Sequence, residues 1–283
     1  MMASIPDKQT LAAPGNASDP DREFLRVENL TVCFGGLTAL DAVSFSVARG
    51  SIHAVIGPNG AGKSTLLNVL SGFCRANSGK ATLGGVDLIQ RKPHEVARLG
   101  VGRTFQQPGV FKQMTVAENL LLGRHTLLQS GYVAAGLRLP SSRLEERAAR
   151  ERMLEFAELF QVRHVLDRRA GQISYGEQKR VEIARTLLME PSIVLFDEPV
   201  AGMNAYETTE MSKLLARLPS DFGVTVILVE HDIHLVMAIA TWVTVLDFGH
   251  KIANGPPADV QADPVVRQAY LGTSGRTKDH TVW

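Results

Sequence analysis

The segment Gly57-Pro58-Asn59-Gly60-Ala61-Gly62-Lys63-Ser64-Thr65 constrains this chain more than any other. It follows the pattern G-x-x-x-x-G-K-[ST]. Before it, Ser51 to Ile56 reads as a buried strand, and after it Ser64 to Leu70 opens a helix of apolar periodicity. A loop in that setting turns successive backbone N–H groups toward one point, at the positive end of a helix dipole. Glycine is needed where the backbone must curl and approach phosphate with no Cβ in the way. Lys63, expected on a surface loop, would reach the β- and γ-phosphates, and the Ser64 hydroxyl would hold Mg²⁺. A chance glycine-rich turn before a lysine would lack the flanking strand and helix. The segment predicts a nucleoside triphosphate site.

Composition sets bounds on the rest. The chain has 283 residues, 45% of them hydrophobic, enough for one large or two small domains with a sizeable core. No apolar run approaches the roughly 18 residues of a membrane span, and no charged-then-apolar leader opens the sequence. Residues 1–23, rich in Ala, Pro, Asp and Ser, read as a disordered tail. The formal net charge is +1 with acids and bases intermixed, which argues against nucleic acid as a partner. Cys33 and Cys74 have no metal-ligand spacing and fit a reducing cytosol. A soluble, cytoplasmic protein is the expectation. Phe24 to Leu83 is strand-rich, with turns at Gly35-Gly36, Arg49-Gly50 and Gly84-Gly85. Helical periodicity dominates from Glu95 to Met189, notably over Arg143 to Phe160 and Gln178 to Leu188. Strands return at Ile193, Thr225, Val243 and Lys251. Asp247-Phe248-Gly249 spells a kinase tripeptide, but with no His-Arg-Asp element ahead of it the reading is a plain turn.

Further clusters lie downstream of the loop. They are Arg103-Thr104-Phe105-Gln106-Gln107, then Ile173-Ser174-Tyr175-Gly176-Glu177-Gln178, then Ile193-Val194-Leu195-Phe196-Asp197-Glu198-Pro199 with Ala201-Gly202-Met203-Asn204, and finally Glu230-His231-Asp232. In that order they resemble the Q-loop, signature motif, Walker B, D-loop and switch histidine of the ATP-binding cassettes of ABC transporters. The resemblance runs from about Phe24 to Leu271-Gly272. It implies an α/β fold of the P-loop NTPase class: a RecA-like mixed sheet core, an antiparallel β-subdomain and an inserted α-helical subdomain over roughly residues 104–190. The cassette would occupy residues 24–256 and a C-terminal extension residues 257–283.

Each cluster has chemical work to do. Apolar residues ending in Asp197 describe a buried parallel strand whose carboxyl end brings a carboxylate beside the phosphates. Asp197 would hold Mg²⁺ together with Ser64 and Gln106, and Gln106 would touch Mg²⁺ or the attacking water. Glu198 is placed to act as general base on the attacking water, and His231 to hold that water and the γ-phosphate in line. Phe34 occupies the family's aromatic position for stacking adenine, although it could also simply pack on its own hairpin, and stacking alone leaves GTP open. By resemblance, Ser174, Gly176 and Glu177 would meet the nucleotide of a second cassette. Tyr175 stands where the family more often has glycine, and Asn204 where its D-loop usually has aspartate. Both variants resemble the branched-chain amino-acid branch, as do Phe34-Gly35-Gly36-Leu37 and the stretch from Gly249 to Gly255 with Asp259 to Gly272.

That branch implies an importer ATPase at the cytoplasmic face of the plasma membrane. Its partners would be a second cassette, identical or paralogous, two multi-span permeases and, indirectly, a periplasmic or extracellular binding protein. Leucine, isoleucine and valine are the default cargo, with urea, amides or other hydrophobic substrates as alternatives. A non-transport ABC ATPase acting on ribosomes or DNA is the rival class, but it usually carries two cassettes or long coiled coils, which this sequence lacks. A cassette that binds nucleotide without turnover is a second rival.

Overall fold

The computed structural model describes residues 23–124 and 140–273. The expected N-terminal tail lies outside them. Two sheets form the framework. The first is antiparallel, in the order β2-β1-β4-β5, with β1 at Glu23–Phe34, β2 at Leu37–Ala48, β4 at Ser78–Leu83 and β5 at Val86–Asp87. The second has the order β10-β9-β3-β8-β7-β6, from β3 (Ile52–Ile56), β6 (Val101–Arg103), β7 (Ile193–Asp197), β8 (Thr225–Val229), β9 (Trp242–Asp247) and β10 (His250–Gly255). Its strands pair in parallel except at the β9–β10 edge, so the sheet is mixed.

Local sequence explains both. In β1 the inward residues are Leu25 and Val27, then Leu30 and Val32. The alternation slips by one between Val27 and Leu30, where the register shifts and Asn29 takes a φ of 47°. Such a bulge keeps apolar residues inward on a strongly twisting strand. Asn29 secures it by exchanging hydrogen bonds with the Ser44 hydroxyl (2.7 and 3.2 Å). By contrast β3, β7 and β8 are buried at every position, the pattern of parallel strands covered on both faces.

Helices cover the second sheet. Helix α1 (Lys63–Leu70) follows β3; α2 (Pro93–Arg98) and α3 (Val116–Arg124) flank β6; α4 (Pro140–Leu159) and α5 (Tyr175–Leu187) complete a helical block before β7. Then come α6 (Ala205–Phe222), α7 (Ile233–Ile239), α8 (Pro257–Ala262) and α9 (Pro264–Thr273). In α4 a stripe of Ala149, Met153, Phe156 and Ala157 is buried, while Glu146, Arg147 and Arg150 face solvent. The helix expected over Gln178 to Leu188 begins earlier, at Tyr175. Ser174 caps it, its hydroxyl accepting from the Glu177 N–H at 3.2 Å while the Glu177 carboxylate accepts from Ser174 N–H at 2.8 Å. This reciprocal pair is a capping box, and S-Y-G-E carried its signal.

One buried polar group marks the sheet interior. His53 in β3 is 1% exposed, and its Nε2 lies 2.8 Å from the Thr244 hydroxyl. That hydroxyl donates to Asn254 Oδ1, so His53 Nε2 carries the proton and donates. Burial pushes the His53 pKa down to about 3. The unfolded chain therefore takes up a proton as pH falls through about 6.5, while the folded chain does not, and stability declines in that window. Between about pH 7.5 and about pH 5 this single site is expected to remove about 2 kcal/mol. Urea unfolding of His53→Gln should show a shallower pH dependence than the parent over that range; equal slopes would refute the assignment.

Candidate functional site

The site grows from the carboxyl ends of the parallel strands. Beyond Ile56 the chain enters the glycine loop. A Cβ on Gly57 would lie 2.1 Å from the Leu246 carbonyl oxygen. Gly62, at φ 100°, would place one 2.5 Å from the Ala39 carbonyl oxygen. These two glycines leave a curled backbone that no other residue fits, the cradle that phosphate binding requires. Lys63, expected on a surface loop, is instead 6% exposed and is the first residue of α1. Its Nζ donates to the carbonyls of Gly57 (2.6 Å) and Pro58 (2.9 Å), spanning the loop from inside. Burial lowers its pKa, against the pull of Glu198 and Asp197.

Asp197 ends β7, and Glu198 follows it. Asp197 is 7% exposed; burial raises its pKa, and Arg103, 3.7 Å away, opposes the shift. Glu198 has a φ of 51°, a conformation that costs a non-glycine residue energy and recurs at functional sites. Its Oε1 lies 2.7 Å from His231 Nε2, and its Oε2 accepts from Gln106 Nε2 at 3.2 Å. The three expected catalytic groups thus form one connected row, although they come from distant parts of the sequence.

These residues surround a cavity of about 560 Å³. Phe34, the loop residues Asn59 to Thr65, Gln106, Glu198 and His231 all line it. Ser64 and Gln106, two of the three expected Mg²⁺ ligands, are in the wall, and Asp197 is adjacent to Glu198. Among the described residues no cluster of three or more His, Cys, Asp or Glu could hold a metal on its own. The expected donors, the Ser64 hydroxyl, the Gln106 amide and the Asp197 carboxylate, are all oxygen ligands with one carboxylate among them, a set that suits Mg²⁺ completing its shell with phosphate and water. Ser174, Gly176 and Glu177 do not line the cavity. The Glu177 carboxylate is committed to the Ser174 N–H and to His164 Nε2 at 3.0 Å.

Sequence reasoning missed several participants. Phe248, dismissed as part of a turn, has a φ of 44°, is 82% exposed and lines the same cavity as Phe34. Glu230, 4% exposed, accepts from the Val200 N–H at 3.2 Å and the His231 N–H at 3.1 Å, and so joins the ends of β7 and β8. Tyr270, in α9, is buried enough to push its hydroxyl well above the usual tyrosine range, and the Gly57 backbone hydrogen-bonds it. The C-terminal extension therefore touches the back of the phosphate loop. A lone aromatic in the sequence signals none of these contacts.

Residues 40–201 match the family model described as "ABC transporter". The chain belongs to the ABC transporter family. Residues 250–275 match a second model, described as "Branched-chain amino acid ATP-binding cassette transporter". The cassette is 41% identical over 251 residues to the high-affinity branched-chain amino acid transport ATP-binding protein BraF of Pseudomonas aeruginosa, covering 89% of this chain and 98% of that protein. It is 39% identical to the corresponding protein LivG of Escherichia coli, covering 88% and 98% respectively. Among solved structures, a nucleotide-free ATP-binding cassette from an ABC transporter aligns with a TM-score of 0.75 at 34% identity, over 88% of this chain and 98% of the other. The P-loop NTPase fold expected from sequence is the fold observed. Among the described residues no helix is long and apolar enough to cross a membrane.

Removing the Lys63 ammonium deletes the buried cation of the loop. Lys63→Ala is expected to weaken ATP binding about 100-fold or more, since charge-assisted hydrogen bonds to phosphate are lost. Equilibrium binding of a fluorescent ATP analogue measures this, with circular dichroism as the check on folding because Lys63 is interior. Affinity within twofold of the parent would remove the phosphate-loop assignment.

Proposed function

We propose that this cassette hydrolyses ATP at an interface between two cassettes and that turnover drives uptake of branched-chain amino acids through separate membrane permeases. The row Gln106–Glu198–His231 at the mouth of the phosphate-loop cavity carries the hydrolytic part of this reading. The match of the C-terminal residues to the branched-chain model supports the cargo class. Lys63 and the N–H groups of the loop bind and orient the phosphates. Glu198 accepts the proton of the attacking water at a carboxylate oxygen; each of its oxygens has a second lone pair beyond the one used by His231 or Gln106. His231 holds Oε1 and Gln106 holds Oε2, so the base is aimed before substrate arrives. Ser64, Gln106 and Asp197 would hold Mg²⁺, which when bound neutralises charge on the β- and γ-phosphate oxygens. Ser174, exposed and outside this cavity, is placed to meet the nucleotide of a second cassette, with Gly176 buried behind it against Glu207. The assembly then comprises two cassettes, two permeases and an external binding protein, with this chain at the cytoplasmic face of the membrane.

Glu198→Gln keeps shape and loses basicity. Turnover is expected to fall by on the order of 10²–10⁴ while ATP and Mg²⁺ still bind. Size-exclusion chromatography should show an ATP-dependent dimer, with itself or with a paralogous cassette, that ADP does not support. Phosphate release near the parent rate would refute the general-base role. Ser174→Arg is expected to abolish turnover and leave ATP binding to the single chain nearly normal, because the new cation blocks closure on a partner. Loss of binding by the single chain would mean that the signature acts within its own subunit. The cargo is tested by ATP-driven uptake of labelled leucine into vesicles carrying the complete transporter; uptake of urea or amides in its place would overturn that part.

A further inference from the structure

Tyr175 occupies an unusual junction. It is the first residue of α5, directly after the cap Ser174, and its ring is 40% exposed. Its hydroxyl donates to the Gln106 carbonyl at 3.2 Å, 69 residues away in sequence. Its ring lies against Gly202, where a Cβ would sit 3.1 Å from the ring edge and φ is 77°. The neighbouring Gly176 is just as close to the next segment, since a Cβ there would lie 2.6 Å from a Glu207 carboxylate oxygen. The start of α5 therefore rests on the Q-loop on one side and on the D-loop segment on the other.

The same face of α5 carries the contact inward. Lys179 Nζ donates to the Phe105 carbonyl at 2.7 Å. Glu182 Oε1 accepts from the N–H groups of Phe105 (3.1 Å) and Gly109 (2.9 Å), and Arg185 donates to the Gly109 carbonyl at 2.7 Å. The backbone of residues 105–109 is thus clamped to α5 at both ends. Tyr175 adds the contact at Gln106 itself, the residue whose side chain holds Glu198. The oxygen of Asn204, at the family's usual D-loop carboxylate, is committed to capping α6 through the Glu207 N–H at 2.9 Å.

We infer that Tyr175 is a positioning residue that couples the signature segment to the catalytic row of its own chain, so that engagement of Ser174 and Gly176 by a partner's nucleotide is felt at Gln106, Glu198 and Gly202. This rests on the two-cassette reading above. A glycine at this position would touch neither loop, and the signature could then shift without moving Gln106. Burial raises the Tyr175 pKa, with Glu182 and Glu198 adding to the shift, so the hydroxyl remains a donor at neutral pH.

The test is Tyr175→Phe, which keeps the ring on Gly202 and removes only the bond to Gln106. In the nucleotide-free full-length chain, amide hydrogen exchange is expected to rise about two- to tenfold over residues 104–110, at Phe105 and Gly109, whose amides bond to Glu182, rather than at Thr104, whose amide bonds to Leu195 of β7. Exchange in β3 and α1 should not change. Tyr175→Gly should extend the rise to residues 199–204, where the ring support is lost. In the assembled transporter, Tyr175→Phe should lower kcat about three- to tenfold with KM for ATP within twofold. In a Gln106→Ala background it should lower kcat no further, because the link to Glu198 is already cut. Unchanged exchange over 104–110, a uniform rise across the whole chain, or an additive loss in the double variant would each overturn the inference. If the parent chain neither binds nor hydrolyses ATP, the functional reading fails, and the exchange measurement alone still decides whether Tyr175 ties α5 to the Q-loop.

Discussion

Buried parallel strands that end in one row are the constraint on which the site depends. Val55 of β3 is paired with Val229 of β8, and Val229 with Asp197 of β7. Ile56 is paired with Val245 of β9. Just beyond these positions come Gly57, Glu230 with His231, and Glu198, and past the end of β9 comes the turn with Phe248. A one-residue slip in any pairing would exchange the side chains packed on the two faces and draw Glu198 or Glu230 into the core, so close packing on both faces also fixes where each functional group emerges. Hydrophobic burial in the sheet and chemical alignment at its edge are therefore the same event.

The strand ends were legible in the sequence because they depend on local pattern. Short apolar runs ending in Asp197-Glu198 and Glu230-His231, and a glycine loop between a strand and a helix, state both the element and its terminus. The fold class, and Gln106, Glu198 and His231 as expected site residues, followed from the order of these clusters and their resemblance to the ABC cassette. Contacts between distant segments were not legible. Lys63 looks like a loop residue in sequence, yet the curl enforced by Gly57 and Gly62 folds its side chain inward. Phe248 looked inert because its turn and Phe34 come to the same cavity only in three dimensions. The start of α5 at Tyr175 is a different case, since the S-x-x-E capping signal was present and was overshadowed by reading the motif as a ligand contact.

Much of the charge around the site is interior. Lys179 and Glu182 are 0% and 1% exposed, and Asp197 and Glu230 are 7% and 4% exposed. Burial disfavours the charged form of each of them: it lowers the Lys179 pKa and raises those of Glu182, Asp197 and Glu230. Burying such groups costs free energy unless they are fully hydrogen-bonded, and well-packed apolar residues would often serve stability as well or better. What the charges supply is direction. Backbone N–H and C=O groups of the Q-loop and D-loop, which have no sheet partners, find theirs in Lys179, Glu182, Arg185 and Glu230. An apolar interior would leave those groups unpaired.

The site consequently has two halves of different rigidity. The phosphate loop, Glu198 and His231 hang from strands locked by sheet pairing on both sides, and they cannot move without breaking the core. Gln106 sits on a loop that is tied to β7 at Thr104 and packs Phe105 on Phe73 and Arg103, and whose remaining backbone bonds go to the polar face of α5, the helix that begins in the exposed signature segment. Hydrogen bonds of this kind are directional and individually modest, so they can shift by small amounts where the packed sheet cannot. Glu198 bridges the halves, with one oxygen on His231 from the fixed side and the other on Gln106 from the adjustable side. A displacement at the start of α5 therefore acts on Glu198 through a single oxygen while the phosphate cradle stays in place.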